Sequence, residues 1–301
     1  MKIIINGLKT GFGNNGGTRT LIKCGEHLSA LGADVVAIGR SGYTWHKPKI
    51  KIVDCSKVPL CDIVIATGYR SVRSTLESKA IHKFYYVRGY ELWQASESKL
   101  IESFRKLRIL VNNEWQYRHM MKHGIDAKIV YPGIDDIFHN LGIKRDGIGA
   151  IYHQRHKTKR HVDAAEVAKR VGCKLVMLNK DCVNPKPKAH NKWYNSIKVW
   201  FAPTELEGLH NPPIEASLAG CALVCTDHER AGMSDYAIHG ETALVYPARN
   251  LNVATRYVKR LLEDDKLRMR LNKNMCGLLF SKIRLRRENM SDLLKYFKSL
   301  K

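Results

Sequence analysis

Short continuous apolar runs alternate along the chain with segments whose apolar residues recur at helical spacing. The runs at residues 3–5, 35–38, 50–53, 62–67, 83–87 and 107–111 are rich in Ile and Val, and they read as strands buried on both faces of a parallel sheet. A second series follows at 148–152, 174–178, 199–202 and 222–226. Between the strands, Leu21, Cys24, Leu28 and Leu31 share one helical face closed by Gly32, and further helices are expected at 162–171, 252–263 and 266–280. Asn113 stands as an N-cap after the run 107–111, and Trp193-Tyr194 belong to a short helix. Residues 181–190, with Pro185 and Pro187, read as a loop. Strand and helix in alternation predict an α/β protein.

Glycines punctuate this pattern. Gly142, Gly147 and Gly149 around the polar Lys144-Arg145-Asp146 suit a hinge, which divides the chain into domains 1–143 and 144–280 with a basic tail at 281–301. Near the N-terminus, Gly11, Gly13 and Gly16 satisfy G-x-G-x-x-G, and Gly16-Gly17 open the first helix, where backbone can approach a ligand closely. A dinucleotide site calls for that loop directly after the strand and an acid ending the second strand. Here several residues intervene and the strand ends in Gly39-Arg40, which suits only a 2′-phosphate. Because strand carboxyl ends form the crevice of an open parallel sheet, Thr67, Arg88 and Glu91 are candidates for its floor.

The chemistry concentrates between Phe201 and Gly220. A strand enters this stretch, Glu207 and Glu215 flank a Gly208-Leu209-His210-Asn211-Pro212-Pro213 turn, and a helix leaves through Ile214, Leu218 and Ala219. A strand, loop and helix start aim backbone N–H groups and the positive helix end at an anion. Two carboxylates beside a phosphate site suit a ligand with hydroxyls and phosphate, such as a nucleotide sugar. The alternative is an ordinary strand-to-helix turn carrying two solvated acids.

The Glu-x7-Glu spacing of Glu207 and Glu215 resembles the signature of the retaining family 4 glycosyltransferases. That resemblance implies the GT-B fold: two Rossmann-like domains with parallel sheets facing across a cleft, and a last helix that packs back on the first domain. It extends to Gly16-Gly17, to the Pro132-Gly133-Ile134-Asp135 linker, and to the closing segment from Gly232 through Thr242 to Pro247. The family's Arg-x4-Lys clamp falls on Arg155 and Arg160, with Lys159 able to substitute. By this resemblance Arg155 and Arg160 hold the donor diphosphate, Glu207 contacts the sugar hydroxyls, Glu215 binds the ribose, and Gly208, Leu209, His210 and Asn211 line the phosphate. Glu207, Arg155 and Arg160 are then the catalytic set, and Gly16 and Gly17 approach the donor. The ending Arg88-Gly89-Tyr90-Glu91 is similar to the Gln-Gly-Tyr-Glu of a rhamnosyltransferase-like branch, whereas many members carry a His near Arg88; Thr67, Arg88 and Glu91 are therefore placed on the acceptor side. The resemblance implies a UDP-sugar as donor and no metal or other cofactor.

Charge alters the expected partner. Lys and Arg number 51 against 28 Asp and Glu, a formal net charge of +23, which points to a polyanion. A hydroxymethylated base in DNA is favoured over a glycan or lipid-linked acceptor at an anionic membrane, because the excess lies in both halves. A non-catalytic nucleic-acid-binding module on the same scaffold is the further alternative. No apolar run reaches the roughly 18 residues of a membrane span, and the scattered cysteines read as small core residues of a cytoplasmic protein. No D-x-D occurs, and His153, His156 and His161 lack a companion acid or cysteine in metal-ligand register.

Overall fold

The computed structural model describes residues 1–153, 157–179 and 187–300. The chain forms two compact units, one comprising Met1–Gly133 with Arg286–Lys301 and the other Ile134–Leu285.

The first unit is built on β1 (Lys2–Asn6), β2 (Asp34–Ile38), β3 (Lys51–Val53), β4 (Ile63–Ala66), β5 (His82–Val87), β6 (Arg108–Val111) and β7 (Ala127–Ile129). Their order in the sheet is β3-β2-β1-β4-β5-β6-β7, and every pairing is parallel. Ile3, Ile4 and Ile5 lie at its centre with almost no exposure, as a continuous β-branched run requires. Helix α1 (Gly16–Ala30) starts where Asn15 Oδ1 accepts the Thr18 N–H at 2.8 Å. Its buried face includes Leu21, Cys24 and Leu28, whereas Leu31, beyond the last helical residue, is exposed. Three short helices follow: α2 (Val72–Leu76), α3 (Glu97–Phe104) and α4 (Glu114–Lys122). Asn113 caps α4 by accepting the Gln116 N–H.

The second unit contains β8 (Ile148–Ile151), β9 (Leu175–Leu178), β10 (Val199–Ala202), β11 (Ala222–Thr226) and β12 (Leu244–Tyr246), in the order β12-β11-β10-β8-β9. Helices α5 (His161–Val171), α6 (Pro187–Asn195), α7 (Asn211–Leu218), α8 (Leu251–Glu263) and α9 (Asp265–Leu278) complete it, with a π-helical turn at Leu279–Ile283. Residues 187–190 are thus helical, not part of a loop as expected; residues 181–186 of that expected loop lie outside the described ones.

The division at Gly133 comes before the glycine-rich segment because residues after it are tied to α6. Phe138 packs edge-on against Tyr194 and His190, Asn191 Oδ1 accepts the His139 N–H, and Asn195 Oδ1 accepts the Leu141 N–H. Glycines that suggested a hinge are instead part of the second unit. After the π-helical turn, Arg286 donates from Nε to Pro132 O at 2.9 Å and from Nη2 to Gly133 O at 3.3 Å. Helix α10 (Arg286–Ser299) then places Met290, Leu293, Leu294 and Phe297 in the first unit's core, with Phe297 and Phe84 ring centroids 5.1 Å apart. The tail therefore joins the first unit at Arg286, not at Ser281.

Candidate functional site

In the second unit the site grows from the carboxyl end of the buried strand β10. The chain passes through Thr204 and Glu205 to Glu207, turns at Gly208, and enters α7 after His210. Pro212 and Pro213 fall in the first turn of α7, where a missing N–H costs little. The turn is held in place by backbone bonds from flanking segments. Glu205 N–H donates to Thr158 O at 2.9 Å, Glu207 N–H to Arg230 O at 2.8 Å, and His210 N–H to Gly232 O at 3.3 Å. Tyr236 donates its hydroxyl to His210 O. Gly232 sits at φ +72°, and a Cβ on it would come within 1.6 Å of Gly208 O. The N–H of His210 is thus already engaged and Pro212 and Pro213 have none, so the turn presents fewer donors to an anion than the sequence suggested.

These struts bring Lys159, Glu207 and His210 together. Lys159 Nζ forms an ion pair with Glu207 Oε1, and His210 Nε2 lies 3.9 Å from the same oxygen. Lys159 is 8% exposed, and its burial pulls the ammonium down to about 7 while the adjoining carboxylate favours the charged form. His210 is fully buried, and neither ring nitrogen has a hydrogen-bond partner among the described residues. Burial, reinforced by the Lys159 ammonium, holds its titration well below the usual histidine range, so the ring is neutral at pH 7. The result is a recessed cation, a carboxylate and a neutral imidazole at one strand end.

Arg160 is turned elsewhere. It caps α5 in the left-handed region at φ 48°, forks onto Asp163 at 2.6 and 3.0 Å, and lies 3.5 Å from Glu205, which Arg249 also engages at 2.8 Å. The resemblance placed the clamp cation at Arg160; the residue brought against Glu207 is its neighbour Lys159. Arg155, the other expected clamp residue, lies outside the described residues. On α7, Glu215 is 7% exposed and accepts the Tyr194 hydroxyl at Oε2, 3.0 Å away. Replacing Tyr194 by Phe removes that donor and is expected to weaken ligand binding at Glu215 by about 1 kcal/mol, several-fold in Kd, measurable by titration calorimetry with UDP.

Thr67, Arg88 and Glu91, expected on the acceptor side, come together in the first unit. Arg88 donates from Nη2 to Thr67 O at 2.8 Å. Glu91 Oε2 accepts the Tyr69 N–H at 2.5 Å and the Tyr85 hydroxyl at 2.7 Å, and burial raises its titration despite those donors. Gly17 adjoins Arg88: a Cβ there would lie 2.7 Å from Nη1. Gly17 thus adjoins this first-unit cluster, whereas a Cβ on Gly16 would meet nothing within 4 Å. Sequence spacing did not reveal Tyr194, Gly232 or the Glu205–Arg249 pair as parts of the site, since each reaches it from a separate element. Among the described residues, no group of three His, Cys, Asp or Glu side chains is arranged to hold a metal ion, and no helix is long and apolar enough to cross a membrane.

Superposition on solved structures decides the architecture. Sucrose-phosphate synthase from Thermosynechococcus elongatus matches with a TM-score of 0.81 over 100% of this chain and 99% of its own, at 11% identity. The chain has the GT-B glycosyltransferase fold. Anabaena Alr3699/HepE, solved in complex with UDP and glucose, matches this GT-B chain with a TM-score of 0.79 over all of both chains, again at 11% identity. Residues 184–275, a stretch that contains Glu207, His210 and Glu215, match the family described as glycosyl transferases group 1. A curated relative from Campylobacter jejuni, N-acetylgalactosamine-N,N'-diacetylbacillosaminyl-diphospho-undecaprenol 4-alpha-N-acetylgalactosaminyltransferase, is 35% identical over 91 residues, covering 29% of the GT-B chain. The chain spans about a quarter of that relative's length, 24%.

Proposed function

We propose that the chain transfers a sugar from a nucleotide sugar to an acceptor hydroxyl, with retention at the anomeric carbon and without a metal. The observation that carries this reading is the Lys159–Glu207–His210 cluster at the end of β10, with Glu215 eight residues beyond Glu207 in the segment that matches the glycosyltransferase family. In this mechanism the donor diphosphate takes Lys159 from Glu207, and the released carboxylate receives the sugar hydroxyls. Arg155 supplies a second cation, and Glu215 binds the ribose. The bond from the anomeric carbon to phosphate oxygen breaks as the acceptor oxygen bonds from the same face, and the acceptor's proton passes to the departing phosphate. Lys159 stabilises charge developing on that phosphate, which is preorganised electrostatic catalysis. Neutral His210 can donate a hydrogen bond without adding charge to the sugar site. A UDP-sugar donor is supported by the UDP and glucose bound in the HepE structure.

For the acceptor we favour a lipid-linked glycan, because the curated relative, 35% identical over 91 residues, is named for a diphospho-undecaprenol substrate. A nucleic-acid acceptor is the second reading, favoured by the net charge of +23. A competition assay tests both: UDP-sugars are offered with a diphospholipid-linked saccharide and with duplex DNA containing 5-hydroxymethyl pyrimidines, and products are weighed by mass spectrometry. A hexose or N-acetylhexosamine added to the lipid-linked saccharide is the expected result. Sugar on the modified base alone would select the second reading, and failure of the wild type to bind or consume any nucleotide sugar would defeat both.

A further inference from the structure

Resting on the reading of a lipid-linked acceptor, we propose that the outward face of α9 docks the second unit on an anionic phospholipid bilayer. Lys266, Arg270 and Lys273 meet the headgroups, and Met269 and Phe280 enter the layer beneath them.

The net charge of +23 is not used by the transfer chemistry, and α9 is where surface cations and exposed apolar side chains coincide. The 3.6-residue period splits this helix lengthwise. Leu267, Leu271, Met275 and, in the π-helical turn that follows, Leu279 are buried. Lys266, Met269, Arg270, Lys273 and Phe280 are exposed, and their spacing of i, i+3, i+4, i+7 and i+14 returns them to one side, the side away from those leucines. Met269 is 66% exposed and Phe280 53%. Either alone would be ordinary on a protein surface; both stand here on one cationic stripe. Lys266, Arg270 and Lys273 have no ion-pair partner among the described residues, and Arg270 donates to Gly240 O at 3.3 Å. The acids around them are largely committed. Asp265 is held by Arg268 at 2.8 Å and Glu263 lies 3.9 Å from Lys259, while Glu241 stands at the stripe's edge, where its carbonyl accepts from Asn274.

Two other basic helices lack this combination. Arg256, Lys259 and Arg260 of α8, and Arg287, Lys295 and Lys298 of α10, are exposed, but neither helix exposes a large apolar side chain among its described residues. Cations draw a protein to an anionic surface, and apolar side chains that reach the acyl boundary hold it there. A nucleic acid fits α9 less well. Single strands are bound along a groove on a series of stacking aromatics, whereas this convex face carries one, Phe280. Docking through α9 would concentrate the enzyme at the bilayer in which a lipid-linked acceptor is embedded.

The test floats the full-length protein with vesicles of phosphatidylcholine, alone or mixed with phosphatidylglycerol, at low and high salt. Binding is expected with the mixed vesicles only, and is expected to weaken at high salt. The triple variant Lys266→Gln, Arg270→Gln, Lys273→Gln is expected to weaken it about 100-fold, roughly fivefold per cation, with UDP affinity within about twofold of wild type. Met269→Ser combined with Phe280→Ser is expected to weaken it about tenfold. A charge-matched control on α10, Arg287→Gln, Lys295→Gln, Lys298→Gln, is expected to lose less than about threefold. Urea denaturation establishes that each variant is folded. Equal losses in the two triple variants would make the effect one of net charge and overturn the assignment. Undiminished vesicle binding by the Met269 and Phe280 variant would overturn it too, as would capture of duplex DNA with no binding to either vesicle. Vesicle binding needs neither donor nor acceptor, so absence of sugar transfer with flotation intact would defeat the transferase reading and leave the docking surface standing.

Discussion

Replacing Lys159 by methionine is expected to lower kcat/KM for sugar transfer by about 10²–10³-fold, the scale of losing one preorganised charge contact at a transition state. Methionine keeps most of the volume and removes the ammonium from Glu207. The same change at Arg160 is expected to cost less than about tenfold, since its guanidinium is committed to Asp163 and Glu205 and acts by holding the start of α5. Steady-state kinetics on both variants, with urea denaturation to compare folding, decides between them. If Arg160→Met is the more damaging with its fold intact, the assignment of the clamp to Lys159 is wrong. A pH dependence follows from the same residue. With burial pulling the ammonium down to about 7, a bound diphosphate favours the charged form, and binding above that pH takes up a proton. UDP affinity is therefore expected to fall as pH rises from 7 towards 9.5, and in Lys159→Arg, which stays charged, the fall should vanish.

The second large effect is structural. Gly232→Ala is expected to cost about 3 kcal/mol or more of stability and to eliminate nucleotide binding, because the new Cβ would lie 1.6 Å from Gly208 O at a backbone φ of +72°. Backbone cannot yield as a flexible side-chain end can, so the 207–210 turn must move, and with it Glu207 and His210. Gly240 is the control: its φ is +76°, but a Cβ there meets nothing within 4 Å. Gly240→Ala is expected to cost about 1 kcal/mol, the strain of the left-handed backbone alone, with UDP affinity retained. Equal losses in the two variants, by urea denaturation and UDP titration, would show that the contact with Gly208 does not govern the turn.

Much of this molecule was legible in one dimension where the signal is local. The Ile3-Ile4-Ile5 run, the Asn113 cap, and the strand-turn-helix around Glu207 each depend on neighbours within a few residues, and each is present as read. Short helices fared worse. Helices α2 and α3 span few turns, their apolar spacing is too brief to stand out, and packing on the sheet sustains them. The glycine-rich segment misled for another reason. Gly142, Gly147 and Gly149 have the composition of a hinge, but the boundary is set by which unit the flanking residues pack on, and Phe138 and His139 contact α6.

The site divides along the same line. The sequence by itself determined the fold class, the two carboxylates with seven residues between them, and the presence of cations before α5, because spacing along one strand-to-helix connection is a local property. Only the tertiary structure decided which cation meets Glu207. Lys159 and Arg160 are adjacent in sequence, and the left-handed turn at Arg160 sends one side chain to Glu207 and the other to Asp163. Likewise the Tyr194 hydroxyl on Glu215, the Gly232 strut under Gly208, and the Arg88 guanidinium beside Gly17 join residues separated in the chain. Such contacts are fixed by packing between elements, which no spacing in the sequence encodes.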